Sequence, residues 1–471
     1  MRVINDLKGK IMSPEEAVKK LMLNTKSIAF GGMGGQSVPK VIPKAMSENQ
    51  RYFSGITVYT GGGTTKSFEK NISKLKINRR FYYLSDANSR LAVNSGKTMM
   101  MEYSVSKYSR LLSYEMVKPV DIAVIEATAI RKNGIILSLS IDAIPTLVNA
   151  SRKVIIEINR KKPELDGIHD IYGIRDGRII KLTSINQRIG KPGLKIRSNQ
   201  IGAIVYSDEK EENASSYSKT PPDAKTFSEN IWKILEEKIK FNNKMPLQVG
   251  AGSIASSIVN ASPFGNLKIW CEIAPSRWLE YTDSKIDIIS ASAIYSIPGD
   301  ESYTSRFLEN YKEYSGKIIL RPNNVTNSSE LISRLGVIVI QQALEIDIFG
   351  SVNVSHINSN IYNGVGGSID FCSAGKYVIV VLPSTANNGK KSRIAPWLTC
   401  VDIPRHLVDF IVTEIGIADL RWKDPRERAE EIINKCVHPD FRDSLLRYFR
   451  SLAPGHMPVN IVDTAKEFNV Q

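Results

Sequence analysis

Cysteine is scarce: four in 471 residues, at 271, 372, 400 and 436, far apart and without a C-x-x-C pair. Such usage excludes a disulfide scaffold and suits a reducing cytoplasm. No apolar run approaches the ~18 residues of a membrane-spanning helix. The runs at 335–340 and 377–382 are strand-sized. The opening Met-Arg-Val-Ile-Asn-Asp-Leu-Lys lacks a signal peptide's apolar centre. A cytoplasmic protein without a membrane partner is therefore expected. Histidines are few and scattered; Cys436 and His438 form one close Cys/His pair, and no second pair stands at zinc-site spacing. No metal site is expected. A G-x-S-x-G elbow is also missing, which removes the Ser–His–Asp hydrolase layout built on it. Aromatic residues are not interleaved with basic ones, so no nucleic-acid partner is expected.

What is present is an ordinary globular composition, 42% hydrophobic and 24% charged, which excludes disorder. At about 150 residues per domain the length allows three domains, or two large ones. Lys plus Arg (63) exceeds Asp plus Glu (48) by 15. That excess favours an anionic partner such as a polyphosphorylated small molecule.

Short β-branched runs alternate with amphipathic stretches. Residues 27–30, 56–60, 121–125, 153–158, 267–271, 286–291, 337–340, 377–382 and 409–413 read as buried strands. Residues 13–23, 227–240 and 426–436 read as helices, the first with Ser13 as cap before Pro14. The alternation predicts an α/β protein with largely parallel sheets. The polar stretch 208–223, with Pro221-Pro222, reads as an exposed loop between two α/β domains, residues 1–225 and 226–471. Each half runs a strand into a glycine-rich turn, at Phe30-Gly31-Gly32-Met33-Gly34-Gly35 and at Val249-Gly250-Ala251-Gly252. Each half also carries V-D-x-x-V-x-E, at 120–126 and 408–414. These likenesses are what a duplicated α/β unit would leave, and what chance similarity between buried strands would leave too.

Asn94-Ser95-Gly96-Lys97-Thr98 fails as a phosphate loop, because Leu91 stands where the first glycine is required. Gly250-Ala251-Gly252-Ser253-Ile254-Ala255 matches G-x-G-x-x-[GA], and the next strand delivers Glu272. That layout fits a dinucleotide fold, but equally a phosphate- or thioester-binding βαβ unit. Asn363-Gly364-Val365-Gly366-Gly367-Ser368 is a second glycine-rich turn, whose amides can face an oxyanion. Glu272 follows the apolar Ile269-Trp270-Cys271. At the mouth of a buried strand a carboxylate is partly desolvated, which raises its pKa and nucleophilicity.

Together these segments resemble the acetyl-CoA hydrolase/transferase family, which includes succinyl-CoA:acetate CoA-transferases. The likeness runs through residues 120–128, 153–159, 167–172 and 187–190. It continues at 247–252, 262–267, 270–272 and 350–353, then through 363–371 and 413–421. The resemblance implies two sugar-phosphate-isomerase-like (NagB/RpiA-type) α/β domains with the site at their junction. It also implies that Glu272 is the catalytic nucleophile. Val249, Gly250, Ala251, Gly252 and Ser253, with Asn363, Gly366 and Gly367, match positions that hold CoA and the oxyanion. Asn387 stands where a lysine for CoA phosphate is common, with Lys390 and Lys391 nearby. The implied enzyme is an acyl-CoA:carboxylate CoA-transferase working through a glutamyl-CoA thioester. Its substrates would be acetyl-, propionyl- or succinyl-CoA and a small carboxylate. It would need no prosthetic group, and a homodimer is expected. Acetyl-CoA hydrolysis by the same glutamate, and a dinucleotide-dependent oxidoreductase, are the alternatives.

Overall fold

In the first half the β-branched runs pair into one sheet. Its strands are β1 (Ser27–Phe30), β2 (Ser54–Tyr59), β3 (Lys76–Phe81), β4 (Met99–Met101), β5 (Val120–Arg131), β6 (Gly134–Leu137), β7 (Ser151–Asn159) and β8 (Ile201–Ser207). Their order is β4-β3-β2-β1-β5-β7-β8, all parallel, with β6 turned back antiparallel on β5. The computed structural model describes residues 2–117, 119–173, 179–213, 223–250, 254–296 and 299–456. Of the loop expected at 208–223, residues 214–222 lie outside this set.

The second half repeats the plan. After β9 (Leu247–Val249) and β10 (Leu267–Trp270) come β11 (Ile273–Pro275), β12 (Ile286–Ala291), β13 (Ala293–Tyr295), β14 (Ile318–Leu320) and β15 (Ile338–Gln342). Then follow β16 (Tyr377–Val381), β17 (Phe410–Val412) and β18 (Ile417–Asp419). The sheet order is β14-β12-β10-β9-β15-β16-β17-β18, parallel except for the edge strand β18. Strands β11 and β13 pair separately, parallel to each other. With β6 and β18 set aside, both sheets place their first strand centrally, three strands on one side and three on the other. The glycine turns after β1 and β9 are thus equivalent. The V-D-x-x-V-x-E segments are not: one lies on β5 beside the central strand, the other on β17, two strands further out. Buried strands reuse the same few residue types, and that second likeness is coincidental.

Helices cover the sheets, and their ends are specified locally. Ser13 Oγ accepts from Glu16 N–H at 3.1 Å to start the helix Pro14–Leu21. Asp424 and Glu427 form a capping box for Pro425–Cys436. Among the described residues no helix is long and apolar enough to cross a membrane.

The halves share one apolar core, in which Leu139, Ile141 and Ile144 join Ala274, Ile294 and Leu320. Backbone bonds stitch the seam: Ile141 N–H to Ser292 O (2.9 Å), Ile294 N–H to Leu139 O (2.9 Å) and Leu320 N–H to Ile168 O (2.7 Å). Arg321 is fully buried there, paired with Asp170 and donating to Ser290 Oγ at 2.7 Å and Gln187 O at 2.6 Å. Carboxyl ends of strands from both sheets meet at this seam, where α/β sheets commonly bind ligands.

Candidate active site

Strands β9, β10 and β15 end side by side; Gly250 and Glu272 stand just past the first two, and Gln341 and Gln342 are the last residues of the third. Across the seam, the segments after β2 and β3 bring Gly62, Tyr82 and Tyr83. Between them lies a cavity of about 420 Å³, with Glu272 on its wall. Position β9–β15 is the switch point of the second sheet, because successive strands depart from β9 in opposite directions.

Glu272 is half-buried, and its main-chain carbonyl accepts from Ser292 N–H at 2.8 Å. Its Oε2 accepts from Asn327 Nδ2 at 2.8 Å. Burial pushes the carboxyl up to about 8; the Asn327 bond opposes this, while the neighbouring carboxylates Asp370 and Asp142 add to it. Asp142 is itself raised to about 7 by burial, and its Oδ2 has no hydrogen-bond partner.

The second glycine turn lies against this carboxylate. A Cβ on Gly367 would come 1.7 Å from Glu272 Oε2 and 2.4 Å from Asn327 Nδ2, so only glycine fits. Gly364 has φ +153°, open to glycine alone at little cost. The turn is fastened to the first half: Leu84 N–H donates to Asn363 O (3.0 Å) and Val105 N–H to Gly366 O (3.2 Å). Arg90 Nη2 donates to Asn363 Oδ1 at 3.0 Å, and Val365 N–H to Glu102 Oε1 at 3.0 Å.

Of the residues singled out from sequence, Val249, Gly250, Glu272, Asn363, Gly366 and Gly367 line the one cavity. Gly250 N–H is taken by Ile340 O at 2.7 Å. Ala251, Gly252 and Ser253 lie outside the described residues. Asn387 is not on the wall: it is exposed, with φ +51°, at the tip of a hairpin pairing Thr385–Ala386 with Lys391–Ser392. From that hairpin's return Arg393 lines the cavity instead, donating to Leu344 O at 2.8 Å. The rejected phosphate-loop segment ends a helix whose Asn94 grips the backbone of Ile361 through two 3.0 Å bonds.

Sequence reading missed Asn327, Asp370, Tyr82 and Tyr83. Asp370 Oδ2 is 3.4 Å from Asn327 Nδ2, so one amide bridges Asp370 and Glu272. Tyr82 and Tyr83 line the same cavity as Glu272, and burial first, then the Glu272 charge, raises both phenols. Asp370 lies inside the 363–371 likeness but was not singled out, and the other three sit in no motif of fixed spacing. The Asn-Asn-Val-Thr-Asn run before residue 328 was the one compositional hint. Among the described residues no cluster of His, Cys, Asp and Glu has the makings of a metal site.

Profiles of the acetyl-CoA hydrolase/transferase N-terminal and C-terminal domains match residues 4–180 and 304–449 respectively. The chain is 32% identical to a succinyl-CoA:acetate CoA-transferase of Clostridium kluyveri, over 97% of this chain and 88% of that protein. It is also 32% identical to an acetyl-CoA hydrolase of Yarrowia lipolytica, over 89% of this chain and 86% of that protein. Among solved structures, RipA from Yersinia pestis shares the fold at a TM-score of 0.74 and 21% identity, covering 94% of this chain and 97% of that one. The putative alfa subunit of citrate lyase from Streptococcus mutans does so at 0.62 and 17%, covering 96% and 87%. The chain is therefore an enzyme that belongs to the acetyl-CoA hydrolase/transferase family.

Proposed function

We propose that the enzyme is an acyl-CoA:carboxylate CoA-transferase with Glu272 as nucleophile, taking acetyl-, propionyl- or succinyl-CoA and a small carboxylate. It is built as two α/β domains, residues 1–225 and 226–471, with the nucleophile on the second. The observation that carries this reading is the seating of Glu272: a carboxylate against the glycine turn at 363–368, on a small cavity that Gly250 also lines, held by one amide. An Oε atom attacks the donor's thioester carbonyl, and the tetrahedral adduct expels CoA as thiolate, leaving an acyl-glutamyl mixed anhydride. The thiolate then attacks the glutamyl carbonyl, releasing the donor's carboxylate and leaving CoA on Glu272 as a thioester. An acceptor carboxylate repeats both steps in reverse, so the thioester bond is conserved. Each addition makes a tetrahedral oxyanion. We assign its donors to the Gly366 and Gly367 amides, since those of Gly250 and Val365 are already engaged. One such donor is typically worth about 3–4 kcal/mol. A CoA-binding role for Ala251, Gly252 and Ser253 is part of the same proposal.

Hydrolysis by the same Glu272 is the second reading, favoured by the relatives named acetyl-CoA hydrolase. The two differ in whether water reaches the glutamyl intermediate. Product balance separates them. With acetyl-CoA and propionate, transfer yields propionyl-CoA and acetate in equal amounts. Free CoA accumulating at the same rate with or without propionate would establish hydrolysis instead. The oxidoreductase alternative is set aside by family membership, and Glu272 is engaged by Asn327 rather than open to a ribose.

A further inference from the structure

We propose that the first-half helix Val105–Ser113 is the positioning element of this site, with Ser106 and Ser109 holding the two segments that shape Glu272. The inference rests on Glu272 being the nucleophile. Ser106 and Ser109 are three residues apart and share one helix face. Each grips a different segment of the second half. Ser106 donates twice to Asp370, from Oγ to Oδ1 at 2.6 Å and from N to Oδ2 at 2.9 Å. Asp370 lies three residues after Gly367, in the short helix Ser368–Cys372. Ser109 Oγ, buried, donates to Asn323 Oδ1 at 2.7 Å.

Asn323 opens the short helix Asn323–Thr326, which delivers Asn327; Asn327 N–H donates to Asn323 O at 2.8 Å. The first half holds Asn323 a second time, because its Nδ2 and N–H donate to Asp142 Oδ1 (2.8 Å) and O (3.1 Å). The two segments converge on the nucleophile. Asn327 Nδ2 faces both Glu272 Oε2 and Asp370 Oδ2, and Thr326 Oγ1 fixes the amide's other end by donating to Asn327 Oδ1 at 2.8 Å.

Physical consequence follows from the geometry. Asn327 holds Glu272 in one orientation only while Asp370 and Asn323 are in register with each other. Within the second half, Trp270 at the end of β10 holds one of these segments, donating from Nε1 to Thr326 O at 2.9 Å. The helix across the seam ties both segments at once, through a first-turn amide and serine hydroxyls that suit a carboxylate and an amide oxygen. Ser106 and Ser109 are thus positioning residues. They act through Asp370, Asn323 and Asn327, and touch neither CoA nor the acyl group.

The test compares Ser106→Ala, Ser109→Ala, Ser106→Thr, Asp370→Asn and Glu272→Ala in the full-length enzyme, using acetyl-CoA and propionate. Each Ser→Ala variant is expected to lose about tenfold in kcat, the scale of one lost hydrogen bond to a charged or buried group. KM for acetyl-CoA should stay within about twofold, because ground-state binding is untouched. Ser106→Thr, which keeps the hydroxyl, should restore kcat. The charged and titratable groups facing Glu272 are Asp370, Asp142, Tyr82, Tyr83 and the Cys271 thiol. Removing the Asp370 charge should therefore move the acid limb of the kcat/KM profile to lower pH. The proposal is overturned if kcat in both Ser→Ala variants stays within about twofold of wild type. A loss that Ser106→Thr does not restore, or an unmoved acid limb in Asp370→Asn, also overturns it. Turnover surviving in Glu272→Ala would instead sink the nucleophile assignment, so the two failures are distinct.

Discussion

As the proposed nucleophile Glu272 must be ionised, yet burial favours its protonated form and pushes the carboxyl up to about 8. Rate should therefore climb with pH. The acid limb of kcat/KM is expected near pH 8, and a limb near the ordinary value of 4.5 would contradict the site's electrostatics. The same shift carries a stability cost. A carboxyl whose folded pKa is raised stabilises the fold below its unfolded pKa and loses that contribution as pH rises through the folded value. Glu272→Gln is accordingly expected to raise Tm by about 3 °C or more at pH 8.5. The gain should shrink steadily toward pH 4.5 in a thermal melt. Gly367→Ala places a methyl group 1.7 Å from Glu272 Oε2, and displacing the nucleophile by that much should cost about a hundredfold in kcat. At this scale Glu272 and the glycine turns were legible, because strand ends and glycine runs leave local patterns. Asn327 and Asp370 were not: they lie 55 and 98 residues from Glu272 in sequence, and only the closing of the seam brings their side chains to it. Asn387 stands in sequence where the family commonly has a lysine for CoA phosphate, but the hairpin carries it away from the cavity wall.

The two glycine turns are equivalent in topology and different in use. At the first sheet's switch point, where β1, β5 and β7 end, Lys40 and Lys162 both bind Glu126 at 2.5 Å, and Glu157 accepts from Lys40 N–H at 2.7 Å. Burial would raise Glu126, but Lys162 and Lys40 outweigh it and hold the carboxyl down to about 2. A paired charge cluster stands where the second sheet has its cavity. Lys162→Ala is expected to cost about 3–5 kcal/mol in urea unfolding, because it strips a buried carboxylate of a partner. KM for acyl-CoA should not change. Strands such as Tyr377–Val381 were readable from unbroken β-branched runs. Lys76–Phe81 was not, since Lys-Ile-Asn-Arg-Arg-Phe puts charge on a strand near the sheet's edge. There pairing with β2 and the burial of Arg80 against Glu69 override composition.

For the molecule as a whole, the seam between the halves is what makes a site. The cavity takes Tyr82 and Tyr83 from one half and Glu272, Asn363 and Gly367 from the other. Asp170→Ala would leave Arg321 buried and unpaired at that seam. A loss of about 3–5 kcal/mol is expected in thermal or urea unfolding, with activity falling in parallel as the halves lose register. The surplus of 15 positive charges suits a substrate with CoA's phosphates. The α/β class and strand alternation could be read from periodicity alone. How the sheets face one another could not, because the bonds that join them link segments more than a hundred residues apart.

The central claim, that Glu272 carries CoA covalently between two half-reactions, is tested most directly by intact-mass analysis after mixing with acetyl-CoA alone. The account predicts a protein heavier by CoA less one water, reverting when a carboxylate acceptor is added and never forming in Glu272→Ala. An enzyme that turns over acetyl-CoA and acceptor while its mass stays unchanged at every time point would contradict it.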